Sequence, residues 1–131
     1  MASTARFEVV AIGNAIVDVI ARADDALIEA EGLTKGSMRL IDAEEAGRLY
    51  AAMGPAIEMS GGSAANTLAG MAALGRRCAF IGQVADDQLG SVFTHDLRAL
   101  GVAYETPALQ EGAPTARCLI LVTPDGQRTM N

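Results

Sequence analysis

Ile57-Glu58-Met59-Ser60-Gly61-Gly62-Ser63-Ala64-Ala65-Asn66 reads as a strand fragment that runs into two glycines and then into a helix rich in small residues. The helix extends over Ala64 to Leu74, with Gly75 placed as its left-handed terminator. Ala65, Ala69, Ala72 and Ala73 let it lie close against a sheet. Before it, Val9 to Ile12 is an unbroken apolar run ending in Gly13-Asn14, which predicts a strand buried on both faces, as in a parallel sheet. After it, Cys78 to Val84 predicts another buried strand. Asp86 or Asp87 caps a helix whose Leu89, Val92, Phe93, Leu97 and Leu100 share one face, and Gly101 ends it. Val102 to Glu105 follows as a short strand. Strand, turn and helix in this alternation predict an α/β fold, the first part of a doubly wound parallel sheet.

A second set of strands interrupts that alternation. Ala15 to Ala21 is an apolar run broken only by Asp18. After a polar stretch, Ser37 to Ile41 reads as a short strand, and Asp42 with Glu45 predicts a capping box. The helix it opens runs to about Met53, where Gly54-Pro55 stops it. Thr115 to Val122 is a long strand, Thr123-Pro124-Asp125-Gly126 a hairpin turn, and Gln127 to Met130 the return strand. There is no internal repeat or low-complexity segment.

At 131 residues the chain makes one domain at most, since domains run to roughly 100–200 residues. With 50% of residues apolar, a packed core is available. Lys plus Arg total 10 against 16 Asp plus Glu, a net charge of -6, which argues against nucleic acid and anionic membrane as partners. No apolar run approaches the roughly 20 residues of a spanning helix, and no signal core precedes the first strand, so a cytoplasmic location is the expectation. Cys78 and Cys118 sit singly in apolar runs and read as buried reduced thiols.

Three clusters bear on chemistry. Gly61-Gly62 at a strand-to-helix junction allows close approach of a ligand to the backbone, beside the free N–H groups of a helix start. Ser63 and Asn66 lie in that first turn, and the Asn66 amide both donates and accepts. The arrangement suits a polyhydroxylated ligand or an anion; a plain capped glycine turn is the other reading. GxGxxG and GxxxxGK[ST] do not occur. Asn14 and Asp18 form the second cluster. If 15–22 is a strand, Asp18 shares a face with Ile16 and Ile20, where a carboxylate is costly unless solvated or hydrogen-bonded. It either receives ligand hydroxyls or points to solvent from a strand edge. The third, Asp86-Asp87, reads as a helix cap rather than a metal site. The only histidine, His95, lies off the apolar stripe of its helix and reads as a surface residue.

Taken together, Gly13-Asn14-Ala15-Ile16-Val17-Asp18, Gly61-Gly62-Ser63-Ala64-Ala65-Asn66, Gly75, Phe80-Ile81-Gly82, Asp86-Asp87-Gln88-Leu89-Gly90, Pro114-Thr115 and Asp125-Gly126-Gln127-Arg128 resemble the N-terminal portion of the ribokinase-like, or PfkB, sugar and nucleoside kinases. The similarity runs from Val9 to the end of the chain; Leu68 and Ala85 depart from the family pattern. The opening Gly13 to Asp18 is nearer the adenosine kinase-like branch.

The resemblance implies a three-layer α/β/α sandwich with a small β-sheet lid. The large part would take about 7–13, 43–56 and 61–104, and the lid about 15–22, 37–41, 57–60 and 115–131. It implies an ATP- and Mg²⁺-dependent kinase that phosphorylates a primary hydroxyl of a ribose-type substrate, adenosine-like by preference. Asn14, Asp18, Gly61, Gly62, Ser63 and Asn66 would be substrate-binding, and Cys118, Arg128 and Met130 would belong to the lid. These groups are expected to meet at one ligand. The catalytic base, the anion hole and the ATP-binding half have no counterpart in these residues. The chain alone is therefore expected to be inactive, poorly stable and to hold no cofactor or metal. A lid-mediated homodimer is a further implication. The competing readings are a non-enzymatic sugar or nucleoside-binding module and a small α/β structural protein.

Overall fold

A computed structural model of the protein describes residues 5–131. Along the chain the elements are β1 (Val9–Ile12), β2 (Ile16–Arg22), α1 (Asp25–Ala30), α2 (Ala43–Ala52), β3 (Ala56–Gly61), α3 (Ser63–Ala73), β4 (Cys78–Ile81), α4 (Gln88–Ala99), β5 (Val102–Tyr104), β6 (Ala116–Val122) and β7 (Arg128–Met130). They fall into two compact units. One holds the described residues up to Val17 together with Met59–Ala116; the other holds Asp18–Glu58 and Arg117–Asn131.

The first unit is built on a parallel sheet in the order β1-β4-β5. Val9 lies opposite Cys78 and Ile12 opposite Ile81, while Cys78 and Phe80 face Val102 and Tyr104. α3 packs on β1 and β4, and α4 on β5. The buried side gathers Cys78, Phe80, Val102 and Tyr104 with Ala65, Leu68, Phe93 and Leu97 from the helices. Three rings form its centre: Phe93 meets Tyr104 edge-on at 5.5 Å and Phe80 at 5.6 Å. The Tyr104 hydroxyl donates to the Gly82 carbonyl at 2.8 Å, so its burial leaves no polar group unsatisfied.

The prediction that Val9–Ile12 is buried on both faces is corrected. Val10 and Ile12 are 53% and 78% exposed, on the face of the sheet away from the Phe80, Phe93 and Tyr104 rings. β4 also stops at Ile81 rather than Val84. Both helices end as their glycines demand, with Gly75 at φ +81° and Gly101 at φ +83°.

Asp87 is the cap of α4, through Gly90 N–H to Oδ1 at 2.8 Å. The same carboxylate receives the Thr115 N–H at 2.9 Å and the Thr115 hydroxyl at 2.7 Å, and that hydroxyl accepts from Ala85 N–H at 2.9 Å. The chain leaving the first unit is thus fastened to the start of α4. Gly90 is required there, since a Cβ would stand 2.0 Å from the Ala85 carbonyl oxygen.

The second unit carries β6 and β7 in a four-stranded sheet of order β3-β2-β6-β7. β6 and β7 form the predicted hairpin, antiparallel with Ile120 opposite Met130. Its turn is closed by Gly126 N–H to the Thr123 carbonyl at 2.8 Å and by the Thr123 hydroxyl to Asp125 at 2.6 Å. Lys35 lies between Asp25 at 2.7 Å and Asp125 at 2.6 Å. Its ammonium, with the Thr123 hydroxyl, holds the Asp125 carboxyl down to about 2. Val19, Ala21, Ile28, Ala46, Leu49, Leu119, Ile120 and Leu121 make the core of this unit.

Four details differ from expectation. Ser37–Ile41 is not a strand: only Met38 bridges, to Met130, flanked by Met130 N–H to the Ser37 carbonyl and Arg39 N–H to the Met130 carbonyl. The α2 capping box is half formed. Asp42 accepts from Glu45 N–H at 2.8 Å, but the Glu45 carboxylate pairs with Arg39. α2 itself belongs to this second unit, whereas the sequence grouped 43–56 with the large part. The six-residue α1, capped by Asp24, lies where the sequence showed only a polar stretch. No helix among the described residues is long and apolar enough to cross a membrane.

Gly90→Ala is expected to lower stability by about 1–3 kcal/mol, the usual cost of forcing extra volume into a packed site. The denaturation midpoint of the full-length protein measures it. A midpoint equal to wild type would contradict the close approach of Ala85.

Candidate functional site

The candidate residues fall into two groups. Asn14, Gly61, Gly62, Ser63 and Asn66 belong to the first unit and gather at the start of α3. Gly62 is its N-cap at φ +89° and supplies no side-chain cap bond. A Cβ on Gly62 would stand 2.9 Å from the Asn14 carbonyl oxygen, and one on Gly13 would stand 2.9 Å from the Ala64 Cβ. The glycines therefore let the turn after β1 and the turn before α3 touch. Asn66 N–H bonds the Gly62 carbonyl at 2.9 Å, while the Asn14 and Asn66 side chains are exposed and make no hydrogen bond among the described residues. Ser63 is exposed; its carbonyl receives the Thr67 hydroxyl at 2.8 Å.

Asp18, Cys118, Arg128 and Met130 belong to the second unit. Along β2, Val17, Val19 and Ala21 are buried and Ile16, Asp18 and Ile20 half-buried, so the predicted sharing of a face holds. β2 lies between β3 and β6, which removes the strand-edge reading of Asp18. Its carboxylate has no hydrogen-bond or ion-pair partner among the described residues. Burial raises its pKa above the ordinary value of 3.8. Cys118 on β6 is a free thiol pushed up by burial and by the nearby Asp18 charge, with the Asn131 N–H acting the other way. It is half-buried, not buried as expected; Cys78 is both free and buried. Arg128 faces Val122 at the turn end of the hairpin and is exposed, and Met130 faces Ile120.

The predicted cap role of Asp87 is observed, Asp86 is exposed, and His95 is exposed on α4. No group of three or more His, Cys, Asp or Glu among the described residues could hold a metal ion. One residue went unmarked in the sequence: Asp96 accepts the Ser60 N–H at 2.8 Å, just before the double glycine. It is half-buried and sits within the apolar stripe of α4, seven residues after Leu89 and four after Val92, so an acidic residue at that position was the signal that could have marked it.

An unpartnered, half-buried carboxylate costs stability. Its pKa is raised on folding, so the folded chain binds protons more readily than the unfolded one. The penalty is present in full above the folded-state value and fades as pH falls through 3.8. Asp18→Asn is therefore expected to melt above wild type at pH 7 without ligand, with the gain vanishing below pH 3.8. Thermal melts across that range check it; a variant less stable at pH 7 would show an unseen partner for Asp18.

Comparison with known proteins places these residues in context. The family model described as "pfkB family carbohydrate kinase" matches residues 6–131. The crystal structure of adenosine kinase from Sinorhizobium meliloti is similar at TM-score 0.86 and 58% identity, over 97% of this chain and 39% of that one. A probable sugar kinase protein from Rhizobium etli CFN 42 is similar at TM-score 0.83 and 56% identity, over 96% of this chain and 38% of that one. These matches make the fold ribokinase-like α/β. Among curated proteins, probable fructokinase-4 of Arabidopsis thaliana is 35% identical over 72 residues, 55% of this chain. The chain spans 22% of that relative's length.

Proposed function

We propose that this chain, which belongs to the pfkB carbohydrate kinase family, is the substrate-binding portion of an ATP-dependent kinase. The kinase phosphorylates a primary hydroxyl of a ribose-type substrate, and an adenosine-like nucleoside is favoured over a bare sugar. The observation that carries this reading is Asp18. A carboxylate held half-buried without a partner, among Ile16 and Ile20 on one sheet face, lacks the hydrogen-bond donors it needs. Vicinal sugar hydroxyls are such donors, and charge-assisted bonds to them are the strong kind.

The other groups have roles of the same kind. Asn66 offers an exposed amide in the first turn of α3, and Asn14 an exposed amide beside Gly62. Gly61 is buried and Gly62 half-buried, so it is at Gly62 that the bare backbone is open to a ligand. Cys118 and Met130 add polarizable apolar surface suited to a flat base. That surface, with the likeness to the Sinorhizobium meliloti adenosine kinase, favours a nucleoside. The fructokinase relatives favour a bare sugar as the second candidate.

The described residues do not fit an ATP or Mg²⁺ site. They lack a phosphate-cradling loop and any cluster able to hold a metal ion. ATP and Mg²⁺ are therefore assigned to the rest of the kinase, and the residues here bind and orient the acceptor.

The test is steady-state kinetics of the full-length protein with adenosine, ribose and fructose as acceptors. Asp18→Ala is expected to raise KM for the acceptor at least about tenfold, because each bond to a charged group contributes roughly 1.5–3 kcal/mol and 1.4 kcal/mol is about a factor of ten. KM for ATP should not move. An unchanged acceptor KM in a folded variant would remove Asp18 from the site.

A further inference from the structure

We infer that Asp96 is a positioning residue for the substrate-facing double glycine. The inference rests on the proposed function and concerns residues of the first unit alone. β3 is the outer strand of its sheet, so its outward N–H groups have no strand partner. At Ser60, immediately before Gly61-Gly62, that N–H is taken by the Asp96 Oδ2 at 2.8 Å. Two consecutive glycines give the chain more conformational freedom than any other pair. A ligand can use their backbone groups only if something else fixes where they stand. Downstream, α3 does this, through Asn66 N–H to the Gly62 carbonyl at 2.9 Å. Upstream, Asp96 does it.

The carboxylate is well placed for the task because its helix cannot easily shift. Asp87 ties the start of α4 to Thr115. Phe93 and Leu97, on either side of Asp96, are fully buried. Near the end, the Arg98 guanidinium donates twice to the Tyr104 carbonyl, at 3.1 and 3.0 Å. Asp96 thus transmits the position of the rigid helix to the glycine loop through one charge-assisted bond. It touches no substrate; through Gly61 it sets where the Gly62 backbone stands, and small displacements of positioning groups cost rate steeply.

The experiment measures KM and kcat of the full-length kinase for its acceptor and for ATP in Asp96→Ala, Asp96→Asn and Ser60→Pro. Asp96→Ala removes the acceptor, Ser60→Pro removes the donor N–H from the opposite side, and Asp96→Asn keeps one acceptor oxygen. The expected result is an acceptor KM raised about tenfold in Asp96→Ala and in Ser60→Pro. ATP KM should be unchanged, and Asp96→Asn should recover most of the loss. In the double variant Asp96→Ala/Ser60→Pro the two effects should not add, because both delete one bond. If Asp96→Ala fails to fold, the comparison of Ser60→Pro with Asp96→Asn still decides. Acceptor KM at the wild-type value in the folded variants, or equal impairment of Asp96→Asn and Asp96→Ala, overturns the inference. If Asp18→Ala raises acceptor KM while these variants do not, only the role of Asp96 falls. If wild type phosphorylates neither nucleoside nor sugar, the proposed function falls first.

Discussion

The junction between β1 and α3 in the first unit depends on a close approach of two backbone segments. Gly62 stands at φ +89°, a region L side chains rarely adopt, and its missing Cβ leaves room for the Asn14 carbonyl. Gly13 does the same toward Ala64. A side chain at either position would push the end of β1 away from the start of α3, and Asn14 away from Asn66. Helix and sheet then follow from ordinary packing: small residues along α3 let it sit on β1 and β4, and the Phe80, Phe93 and Tyr104 rings fill the space beneath α4. Asn14, Ser63 and Asn66 are left exposed around this junction.

Asp18 illustrates the complementary case, a residue explained by what the fold does not give it. The strand that carries it is interior to its sheet and buries Val17, Val19 and Ala21 on the opposite face. A hydrophobic residue at position 18 would suit that environment better. A carboxylate kept without a partner lowers the stability of the empty protein, and under the proposed function binding of a hydroxyl-rich ligand is what that cost is traded for. Asp87 is the contrast: it too is an acidic residue in a structured region, but it is saturated by Gly90 and Thr115 and so reads as architecture.

Much of this was legible in the sequence because local chemistry forced it. Asp125-Gly126 after Thr123-Pro124 permits little but a turn, and the hairpin formed there. Asp87 and Asp42 stood where helices needed caps. The alternation around Asp18 could be read because period two is visible in seven residues. What stayed hidden depended on partners distant in sequence. The exposure of Val10 and Ile12 reflects which face of the sheet the rings take, and an apolar run does not encode that. The segment at 37–41 had strand-like composition but gained only the bridge to Met130. α1 is too short for periodicity to announce it. Lys35 finds carboxylates ten and ninety residues away, which leaves no pattern; Asp96 stands out as a carboxylate on an apolar helix face, but its partner, a backbone N–H, does not.

The central claim is that this protein recognises an acceptor through its ribose hydroxyls, with Asp18 as the group that receives them. Calorimetric titration of the full-length protein with adenosine and with 2′,3′-dideoxyadenosine tests it most directly, because the deletion is made in the ligand and the protein is untouched. Removing the hydroxyls leaves the carboxylate unpaired again, so the account predicts a loss of at least about tenfold in affinity. The same comparison in Asp18→Ala should show little difference between the two ligands. Equal affinity of wild type for adenosine and its dideoxy analogue would contradict the account.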